Sequence, residues 1–425
     1  MRIMREGSRG PAVQLLQLAL DRAGFGPLGR DGAFGPATAS ALRDFQRAMD
    51  LRPDGVAGAL THRALRPWYT GYLTHRVQRG ESFWSISRLY GVSLDALRAA
   101  NPALAPESLP LGAPLTVPLS FPVVPTDIDY FAELADLCVE GLAARYPFFR
   151  AGTIGRSVLG RPIRSLLLGH GANRVLYNGE HHANEWITTP VLLRFAEELG
   201  RAAVGGGALL GTPAAEILDY ASIALIPALN PDGMDLCTGE LTAGRAREEA
   251  RRIAAAYPRF PFPGGWKANI RGVDLNLQYP AGWEQARRNK FALGITSPAP
   301  ADYVGAAPLE APESSALYDY TRAFEPALTL SLHTQGEVIY WKYLDLEVPG
   351  AAQIAALFAD LSGYAAEETP YAAGFAGYKD WFIQDFRRPG FTLELGRGVN
   401  PLPIGELDAI YERVRGILTL AALVT

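Results

Sequence analysis

Over roughly the last 300 residues the chain alternates between helical and strand-like patterns, and no other feature constrains its fold as strongly. A helical pattern runs from about 129 to 146, strand-like runs follow near 163–169 and 174–179, and a helical stretch begins near 186. Three more strand patterns and a last helix lie further on, near 221–228, 327–332, 391–395 and 405–423. Such alternation predicts an α/β fold with helices on both faces of a parallel or mixed sheet.

Length and composition limit the class of protein. A chain of 425 residues is too long for one ordinary core and implies two or more domains. With 20% charged residues, a formal net charge of −4 and no basic run, it is not expected to bind nucleic acid. No apolar stretch is long enough to span a membrane. The first residues lack the apolar core of a secretory signal, which indicates a mature form, or export that is unconventional or absent.

Two residue types are rare. Cys138 and Cys237 give no disulfide framework and are expected to be ordinary thiols, with a single disulfide as the alternative. Of the 40 basic residues only four are lysines, and the other 36 are arginines. The lysines are at positions 267, 290, 342 and 379. A lysine at a functional position therefore stands out against the composition.

Residues 1–68 have the pattern of a small helical unit. Two segments with apolar residues at helical spacing flank a turn rich in Gly, Pro and Asp at 29–38, and a weaker echo of this turn follows at 53–61. The turn, the Phe45-Gln46 pair and the echo resemble the peptidoglycan-binding domain found at the ends of bacterial cell-wall hydrolases. A generic helical bundle is the alternative.

Residues 72–119 form a second candidate module with the order β-α-α-β. The sequence Gly-Glu-Ser-Phe-Trp at 80–84 opens its first helix, and Ser93 and Asp95 are candidate caps of the second. These residues resemble a lysin motif, which binds the N-acetylglucosamine backbone of peptidoglycan or chitin. Two wall-binding modules in series would raise residence on an insoluble polymer by avidity. The Pro-rich segment 118–125 predicts a stiff linker to the rest of the chain.

Residues 120–425 are the candidate catalytic domain, and the segment 176–186 is its most informative stretch. It combines a strand end, a Gly turn, and His182 and Glu185 three residues apart at the start of a helical pattern. Imidazole and carboxylate suit Zn²⁺, and a catalytic zinc takes three protein ligands and leaves a position for water. The carboxyl ends of strands are where open α/β sheets hold their sites. Taken alone, the motif is more often the start of a surface helix.

A third ligand should come from a different strand, and His333 ends the apolar run Leu330–Leu332. Among the six histidines of the chain, His170 and His181 are competitors, but the strand-then-turn register favours His182. A structural histidine at a strand end is the alternative for His333.

The zinc-activated water would also need a general base, and Glu394 is the candidate. It interrupts an apolar strand pattern at 391–395, where a carboxylate is expensive to bury without a function or a partner. A buried ion pair with Arg397 or another arginine is the alternative.

Together, five motifs in order resemble those of the zinc metallocarboxypeptidases: Asn178–Glu185, Asn230–Gly233, Gly272–Asn276, His333 and Glu394. The resemblance covers about 150 to 425 and implies that family's fold, a mixed and mostly eight-stranded sheet between helices. It implies one Zn²⁺ in the catalytic domain, held by His182, Glu185 and His333. It also implies that Glu394 is the base and proton shuttle and that Asp274 orients a ligand histidine.

Three positions depart from the carboxypeptidase pattern or match it loosely. Family members that remove a C-terminal residue carry an Asn-Arg pair whose Arg clamps the terminal carboxylate, whereas here the pair is Asn276-Leu277. The position of the family's oxyanion-stabilising Arg is occupied here by Lys267, and Arg271 is the alternative residue for that role. Tyr371 lies near the position of the family's mobile capping Tyr, with a packed loop aromatic as the alternative.

The segments Trp266–Ala281 and Gly377–Phe382 resemble one branch, the bacterial γ-D-glutamyl-L-diamino-acid endopeptidases. This implies hydrolysis of the bond between γ-D-Glu and meso-diaminopimelate or Lys in peptidoglycan stem peptides, with Asn276, Arg271 and Tyr371 as candidate contacts to the peptide. The expected location is the cell wall or another extracytoplasmic site, of a vegetative cell or a spore. A carboxypeptidase and a catalytically decayed wall-binding protein are the alternatives, and the intact ligand and base residues speak against decay.

Overall fold

The computed structural model describes residues 1–105, 108–371 and 374–424. Its helices are α1 (Pro11–Arg22), α2 (Pro36–Ala48), α3 (Ala59–Thr70), α4 (Phe83–Tyr90), α5 (Leu94–Ala99), α6 (Ala132–Arg145), α7 (Thr188–Gly205), α8 (Ala214–Tyr220), α9 (Pro231–Cys237), α10 (Arg245–Ala255), α11 (Trp283–Ala292), α12 (Pro312–Phe324), α13 (Ala351–Ser362), α14 (Tyr378–Phe386) and α15 (Leu407–Leu420). Its strands are β1 (Tyr72–Arg76), β2 (Pro114–Pro118), β3 (Phe149–Arg156), β4 (Pro162–Leu168), β5 (Asn173–Gly179), β6 (Ala208–Leu209), β7 (Thr212–Pro213), β8 (Ala221–Ile226), β9 (Leu328–His333), β10 (Val338–Tyr340), β11 (Ala365–Glu367) and β12 (Gly390–Glu394).

Eight of these strands form one mixed sheet in the order β11-β10-β12-β9-β5-β8-β4-β3. The four central strands β12, β9, β5 and β8 are parallel neighbours, while β10, β4 and β3 join antiparallel. Side chains alternate across the sheet, as strand geometry requires. On β5, Val175 and Tyr177 belong to the buried cluster that includes residues of α6, α7, α13 and α15, and Leu176 belongs to the cluster on the other face, with residues of α12 and α14. The predicted α/β class, with a mixed sheet between helices, is therefore confirmed.

The structure corrects the sequence-based outline at the sheet edges and in two loops. The sequence patterns did not predict the edge strands β3 and β11, which lack a continuous apolar run, or β10, which is only three residues long. The Gly/Ala-rich composition of 201–207 predicts a loop, which is wrong in part, because α7 continues to Gly205 and ends on the left-handed Gly206 (φ 68°). The Pro/Ala-rich composition of 284–313 also predicts a loop, but this stretch contains most of α11, whose apolar residues Trp283 and Ala286 are buried.

The echo in the first module is a structural repeat. Gln17, buried in α1, donates to the carboxylate of Asp31 and accepts from the N–H of Gly32. Gln46, buried in α2, makes the equivalent two bonds to the second Gly/Asp turn: it donates to the carboxylate of Asp54 and accepts from the N–H of Gly55. Each Gly/Asp turn is thus fixed by a glutamine from the preceding helix, which explains why Phe45-Gln46 and the echo occur together.

The second module has the predicted β-α-α-β order. Strands β1 and β2 pair antiparallel, and α4 and α5 lie between them in the chain. Ser93 caps α5 by accepting from the N–H of Ala96, whereas Asp95 lies in the first turn of α5 and does not cap it. The predicted module boundary at 68 falls inside α3, and the boundary at 119 falls directly after β2.

Both N-terminal modules are docked against the catalytic domain, and a buried arginine of α6 joins the connecting segments. Arg145 donates to the carbonyl oxygens of Gly71, Leu119 and Phe121 at 2.6 to 3.0 Å. Gly71 separates the two modules, and the other two carbonyls belong to the Pro-rich segment 118–125. The predicted stiff linker is therefore a segment bound along its length, because Arg145 supplies hydrogen-bond donors that water would otherwise provide.

Further contacts hold the same junction. Glu197 of α7 accepts from the N–H groups of Val123 and Val124 and lies 3.8 Å from Arg145. Gly141 of α6 lies against the end of α3 so closely that a Cβ would fall 2.0 Å from the carbonyl oxygen of Thr70. Apolar residues of α1, α2 and α3 also belong to the same buried cluster as those of α6 and α7. The first module therefore shares one continuous buried core with the catalytic domain.

Two remaining sequence expectations concern thiols and membranes. Cys138 and Cys237 are both free and buried, in agreement with the expectation of ordinary thiols, and burial raises the pKa of each thiol to about 12. None of the described helices combines the length and the apolar character needed to cross a bilayer.

The variant Arg145→Ala tests whether this residue holds the modules in place. It removes the guanidinium donors to three carbonyl oxygens and the buried cation beside Glu197, so we expect a loss of about 3 kcal/mol in the free energy of unfolding. Urea unfolding and limited proteolysis near residues 71 and 119–121 measure the effect. Arg47→Ala, which removes an exposed pair with Asp44, is the control and should cost no more than about 0.5 kcal/mol. Equal resistance of both variants to protease would contradict the assignment.

Candidate metal centre

The candidate site lies where three parallel strands end at one edge of the sheet. Strand β5 ends at Gly179, and the following turn brings His182 and Glu185 over that edge. His333 is the last residue of β9, and Glu394, the last residue of β12, is its partner in the strand register. Because neighbouring parallel strands end together, residues far apart in the sequence meet here.

The side chains of His182, Glu185 and His333 converge on one point. The Nδ1 atom of His182 lies 3.0 Å from Oε1 of Glu185 and 3.2 Å from Nδ1 of His333. The Nδ1 atom of His333 lies 2.9 Å from Oε2 of Glu185. All three residues are buried. Their ligand atoms lie within 4.8 Å of one another, as a group that could hold a metal ion must.

The chemistry of these donors fits zinc. Two imidazoles and one carboxylate form a known catalytic ligand set, which leaves a fourth position for water or substrate. Ligand atoms at about 2.0 to 2.2 Å from a tetrahedral ion are separated by roughly 3.3 to 3.6 Å. The three separations described above, 2.9 to 3.2 Å, are close to that range. Only a small expansion would be needed to place an ion between them.

Asp274 orients His182 from behind. Its Oδ1 lies 3.1 Å from Nε2 of His182, so an Nε2–H donor leaves the Nδ1 lone pair facing Glu185 and His333. Burial alone would lower the pKa of His182, but the carboxylates of Glu185 and Asp274 outweigh burial and Lys267 and raise it to about 9. Without an ion, the surrounding charges therefore favour a positive charge at this position.

Lys267 and Glu394 flank the cluster. Nζ of Lys267 lies 3.1 Å from Oε1 of Glu185. Burial would lower the pKa of Lys267, but Glu185 and Asp274 raise it above its ordinary value, so the side chain stays an ammonium ion. Burial raises the pKa of Glu394 against the opposing effect of His333. A fixed cation and a carboxylate of raised proton affinity thus face the same space.

That space is a cavity of about 380 Å³. His182, Lys267, Asp274, Asn276 and Glu394 all line it, so the structure brings together most of the residues selected from the sequence. Leu277 also lines the cavity, and it occupies the position at which the carboxypeptidase motif has its carboxylate-clamping Arg. None of the described residues that line the cavity is an arginine.

Asn276 is fixed by its own hydrogen bonds. Its backbone N–H donates to Oδ1 of Asp274, and its Oδ1 accepts from the N–H of Tyr378 at the start of α14. Its Nδ2 lies 3.5 Å from Nε2 of His333. The residue therefore links Asp274 through its backbone, and the candidate ligand His333 and α14 through its side chain, which has little freedom to swing towards a substrate.

Two residues selected from the sequence lie outside the cavity. Arg271 lines a separate groove with Val158 and Leu159, because the backbone turns sharply at Gly272 (φ 79°). Arg271 is therefore not in place for the oxyanion role that the sequence left open to it. Tyr371 is 68% exposed and packs edge-on against Phe375, which does line the cavity.

The competing histidines lie elsewhere. His181 is fully buried and its Nε2 lies 3.1 Å from the hydroxyl of Tyr279, while burial and the neighbouring imidazoles hold its pKa well below the ordinary value. His170 is exposed beside Asp219. The register argument that chose His182 over His181 agrees with these positions.

Several polar residues of the site were not selected from the sequence. Four of them line the cavity as Lys–Asp pairs: Lys290, Asp302, Lys379 and Asp380. Buried Glu180, in the turn that leads to His182, accepts a hydrogen bond from the N–H of Asn230. The scarcity of lysine in this chain is the one sequence signal that points to Lys290 and Lys379.

Comparison with known families matches three parts of the chain. The zinc carboxypeptidase family matches residues 138–414. A putative peptidoglycan binding domain matches 9–65, and the LysM domain matches 75–118.

Two relatives align with most of the chain. γ-D-glutamyl-L-diamino acid endopeptidase 1 of Lysinibacillus sphaericus is 43% identical over 289 residues, which cover 68% of this chain and 70% of that protein. An uncharacterized protein of Bacillus subtilis (strain 168), YqgT, is 41% identical over 276 residues, which cover 64% of this chain and 72% of that protein.

A solved structure agrees in fold. Carboxypeptidase A from Helicoverpa armigera superposes with a TM-score of 0.54 at 20% identity, over 80% of this chain and 85% of that one. The predicted family, the sheet between helices and the two preceding modules are thus all confirmed. The chain belongs to the zinc carboxypeptidase family of metallopeptidases.

Proposed function

We propose that this protein is a zinc-dependent peptidoglycan hydrolase that cleaves the bond between γ-D-Glu and the diamino acid of stem peptides. The observation that carries the proposal is the cluster of His182, Glu185 and His333, whose His182 lines one cavity together with Glu394 and Lys267. The name of the relative from Lysinibacillus sphaericus supports this choice of scissile bond, and the two preceding modules support peptidoglycan as the polymer that carries it.

His182, Glu185 and His333 would hold one zinc ion, with Asp274 fixing the tautomer of His182. When bound, zinc supplies Lewis acidity at the scissile carbonyl and lowers the pKa of water. Glu394 accepts the proton of the attacking water and returns it to the leaving amine of the diamino acid. Because burial raises its pKa, Glu394 is suited both to accept this proton and to return it. Lys267 stabilises the developing oxyanion as a point charge.

The cavity favours an endopeptidase over a carboxypeptidase that releases a C-terminal residue. A clamp on a terminal α-carboxylate needs a planar, bidentate donor such as Arg. Leu277 takes the position of that Arg, and none of the described residues that line the cavity is an arginine. A substrate therefore gains little from a free α-carboxylate at the usual place.

The two N-terminal modules support a site of action in the cell wall or another extracytoplasmic compartment. Peptidoglycan glycan strands are the proposed partner of both modules, and stem peptides are the proposed substrate of the catalytic domain.

Mass spectrometry of digested stem tri- and tetrapeptides tests the proposed reaction. We expect L-Ala-γ-D-Glu and the freed diamino acid portion as products, no cleavage in the presence of a chelator, and continued cleavage of peptides whose C-terminal carboxylate is blocked. Cleavage restricted to peptides with a free C-terminus would establish a carboxypeptidase instead. No cleavage with zinc supplied would leave a wall-binding protein.

The base is tested by Glu394→Gln. Removal of the proton acceptor should lower kcat by about 10²- to 10⁴-fold on the tripeptide, while zinc content and wall binding stay at the wild-type level. Glu248→Gln, an exposed carboxylate in α10, is the matched control and should keep full activity. Wild-type turnover by Glu394→Gln would refute the assignment of the base.

The ligand set is tested by metal content. We expect one zinc ion per wild-type chain and, for His333→Ala, at least a 100-fold weaker affinity, because two remaining donors hold zinc poorly. Elemental analysis and competition with a chromogenic chelator measure this without any assay of activity. His170→Ala removes an exposed imidazole and should keep full zinc content. Equal zinc affinity of the two variants would exclude His333 as a ligand.

A further inference from the structure

A groove beside the catalytic cavity is lined by arginines that the proposed mechanism does not use. Its volume is about 840 Å³, against about 380 Å³ for the cavity. Arg245, Arg252 and Arg271 line it, and Glu249 is the one carboxylate among its described lining residues. The whole chain carries a formal net charge of −4, so this local excess of positive charge does not follow from composition. The arginine groove therefore suits an anionic ligand.

Two of the three guanidinium groups are free to bind a ligand. Arg252 pairs with Glu249, which lies three residues before it on α10. The side chains of Arg245 and Arg271 make no ion pair or hydrogen bond with another described residue, and both residues are exposed. Each guanidinium presents a planar fork of N–H donors that matches the two oxygens of a carboxylate.

Apolar side chains make up much of the rest of the groove. Val158, Leu159, Ile253 and Ile270 all line it, and Ile270 is almost fully buried. Guanidinium groups next to apolar surface fit a peptide that carries both carboxylates and small apolar side chains such as that of alanine. A phosphate polymer is a poorer match, because a phosphodiester chain offers little apolar surface to bury.

Buried hydrogen bonds hold the groove in shape. The carboxylate of Glu313 accepts from the backbone N–H of Val158 at 2.9 Å and from the side-chain amide of Asn269 at 3.2 Å. Oδ1 of Asn269 accepts from the backbone N–H of Arg271 at 3.1 Å. Glu313 and Asn269 are both buried. The turn that carries Val158 and the loop that carries Arg271 are thus fixed to one carboxylate, and a ligand would find a preformed groove.

The groove and the catalytic cavity share a wall. The segment 297–302 forms it: the first two residues line the groove, and the last two line the cavity. The N–H of Lys267 donates to the carbonyl of Pro300 at 2.8 Å. This bond ties the wall to the loop that presents Lys267 to the cavity and Arg271 to the groove. Two peptides that are joined to each other can therefore occupy the cavity and the groove together.

We propose that the arginine groove binds the second stem peptide of a cross-linked pair while the first is cleaved in the cavity. The inference rests on the proposed function, which places one stem peptide in the cavity. Every stem peptide keeps the α-carboxylate of its γ-linked D-Glu and carries alanine methyl groups. Arg245 and Arg271 bind carboxylates of the second peptide, and its methyl groups pack on the apolar lining. Because the two peptides are covalently joined, binding of one raises the effective concentration of the other.

The experiment compares a cross-linked dimer with the free tetrapeptide and free tripeptide that compose it. The dimer is joined by an amide between the D-Ala carboxyl group of the tetrapeptide and the diaminopimelate side-chain amine of the tripeptide. Wild-type protein should cleave the dimer with about a 10-fold higher kcat/KM than either free peptide, since two exposed charge pairs add to binding. The gain should appear in KM, because the reacting groups are the same.

The double variant Arg245→Gln/Arg271→Gln should lose the preference for the dimer. Both arginines lie outside the cavity, so cleavage of the free peptides should stay at the wild-type rate, and the melting temperature should not change because neither side chain has a partner to lose. Arg251→Gln is the matched control: it removes an exposed arginine of the same helix as Arg245 that does not line the groove, and it should keep the preference.

Three results would overturn the inference. One is equal kcat/KM of the wild type for the dimer and the free peptides, and another is a preference for the dimer that survives the double variant. The third is inhibition by poly(glycerol phosphate) of the wild type but not of the double variant, which would assign the groove to a phosphate polymer. Failure of the wild type to cleave any of the three peptides would refute the proposed function itself, and this inference with it.

Discussion

One buried carboxylate, that of Glu185, holds the candidate centre together. Its two oxygens face the Nδ1 atoms of His182 and His333, the ammonium of Lys267 and the N–H of Thr334. Burial alone would raise its pKa, but His182 and Lys267 hold that pKa well below the ordinary value, so the carboxylate stays ionised at 1% exposure. Because its partners come from separate segments of the chain, the same charge also fixes where those segments meet.

The charges around this carboxylate explain why the centre suits a divalent cation. Glu185, Asp274 and Glu394 supply three carboxylates, and Lys267 supplies one ammonium ion. The surplus is negative, and the raised pKa of His182 is its direct consequence when no ion is considered. A divalent ion at the ligand atoms would neutralise the surplus and take the place of that proton. The sheet edge thus positions the ligand atoms, and the negative charge of the carboxylates favours binding of a divalent cation.

The sequence predicted the parts of the site that depend on local pattern. Strand ends followed by His182, His333 and Glu394 are visible in the residue order, and parallel strands bring such ends to one edge. The side of a turn that a residue faces was not visible, so the sequence could not show that Arg271 lines a separate groove outside the cavity. The edge strands β3 and β11 were missed because their exposed residues carry no apolar signal. The pairs at Lys290 and Lys379 depend on contacts that the order of residues does not encode.

The docking of the N-terminal modules was equally hidden from the sequence, and it changes what those modules can do. A Pro-rich segment ahead of a catalytic domain predicts independent modules whose benefit is local concentration alone. Here Arg145 and Glu197 bind the connecting segments to α6 and α7, so the modules and the cavity form one body. Attachment to a glycan strand would then fix the orientation of the cavity as well as its distance from the wall. Stem peptides in other orientations would be reached only after release, so the contacts that prolong residence would also limit which bonds are cut.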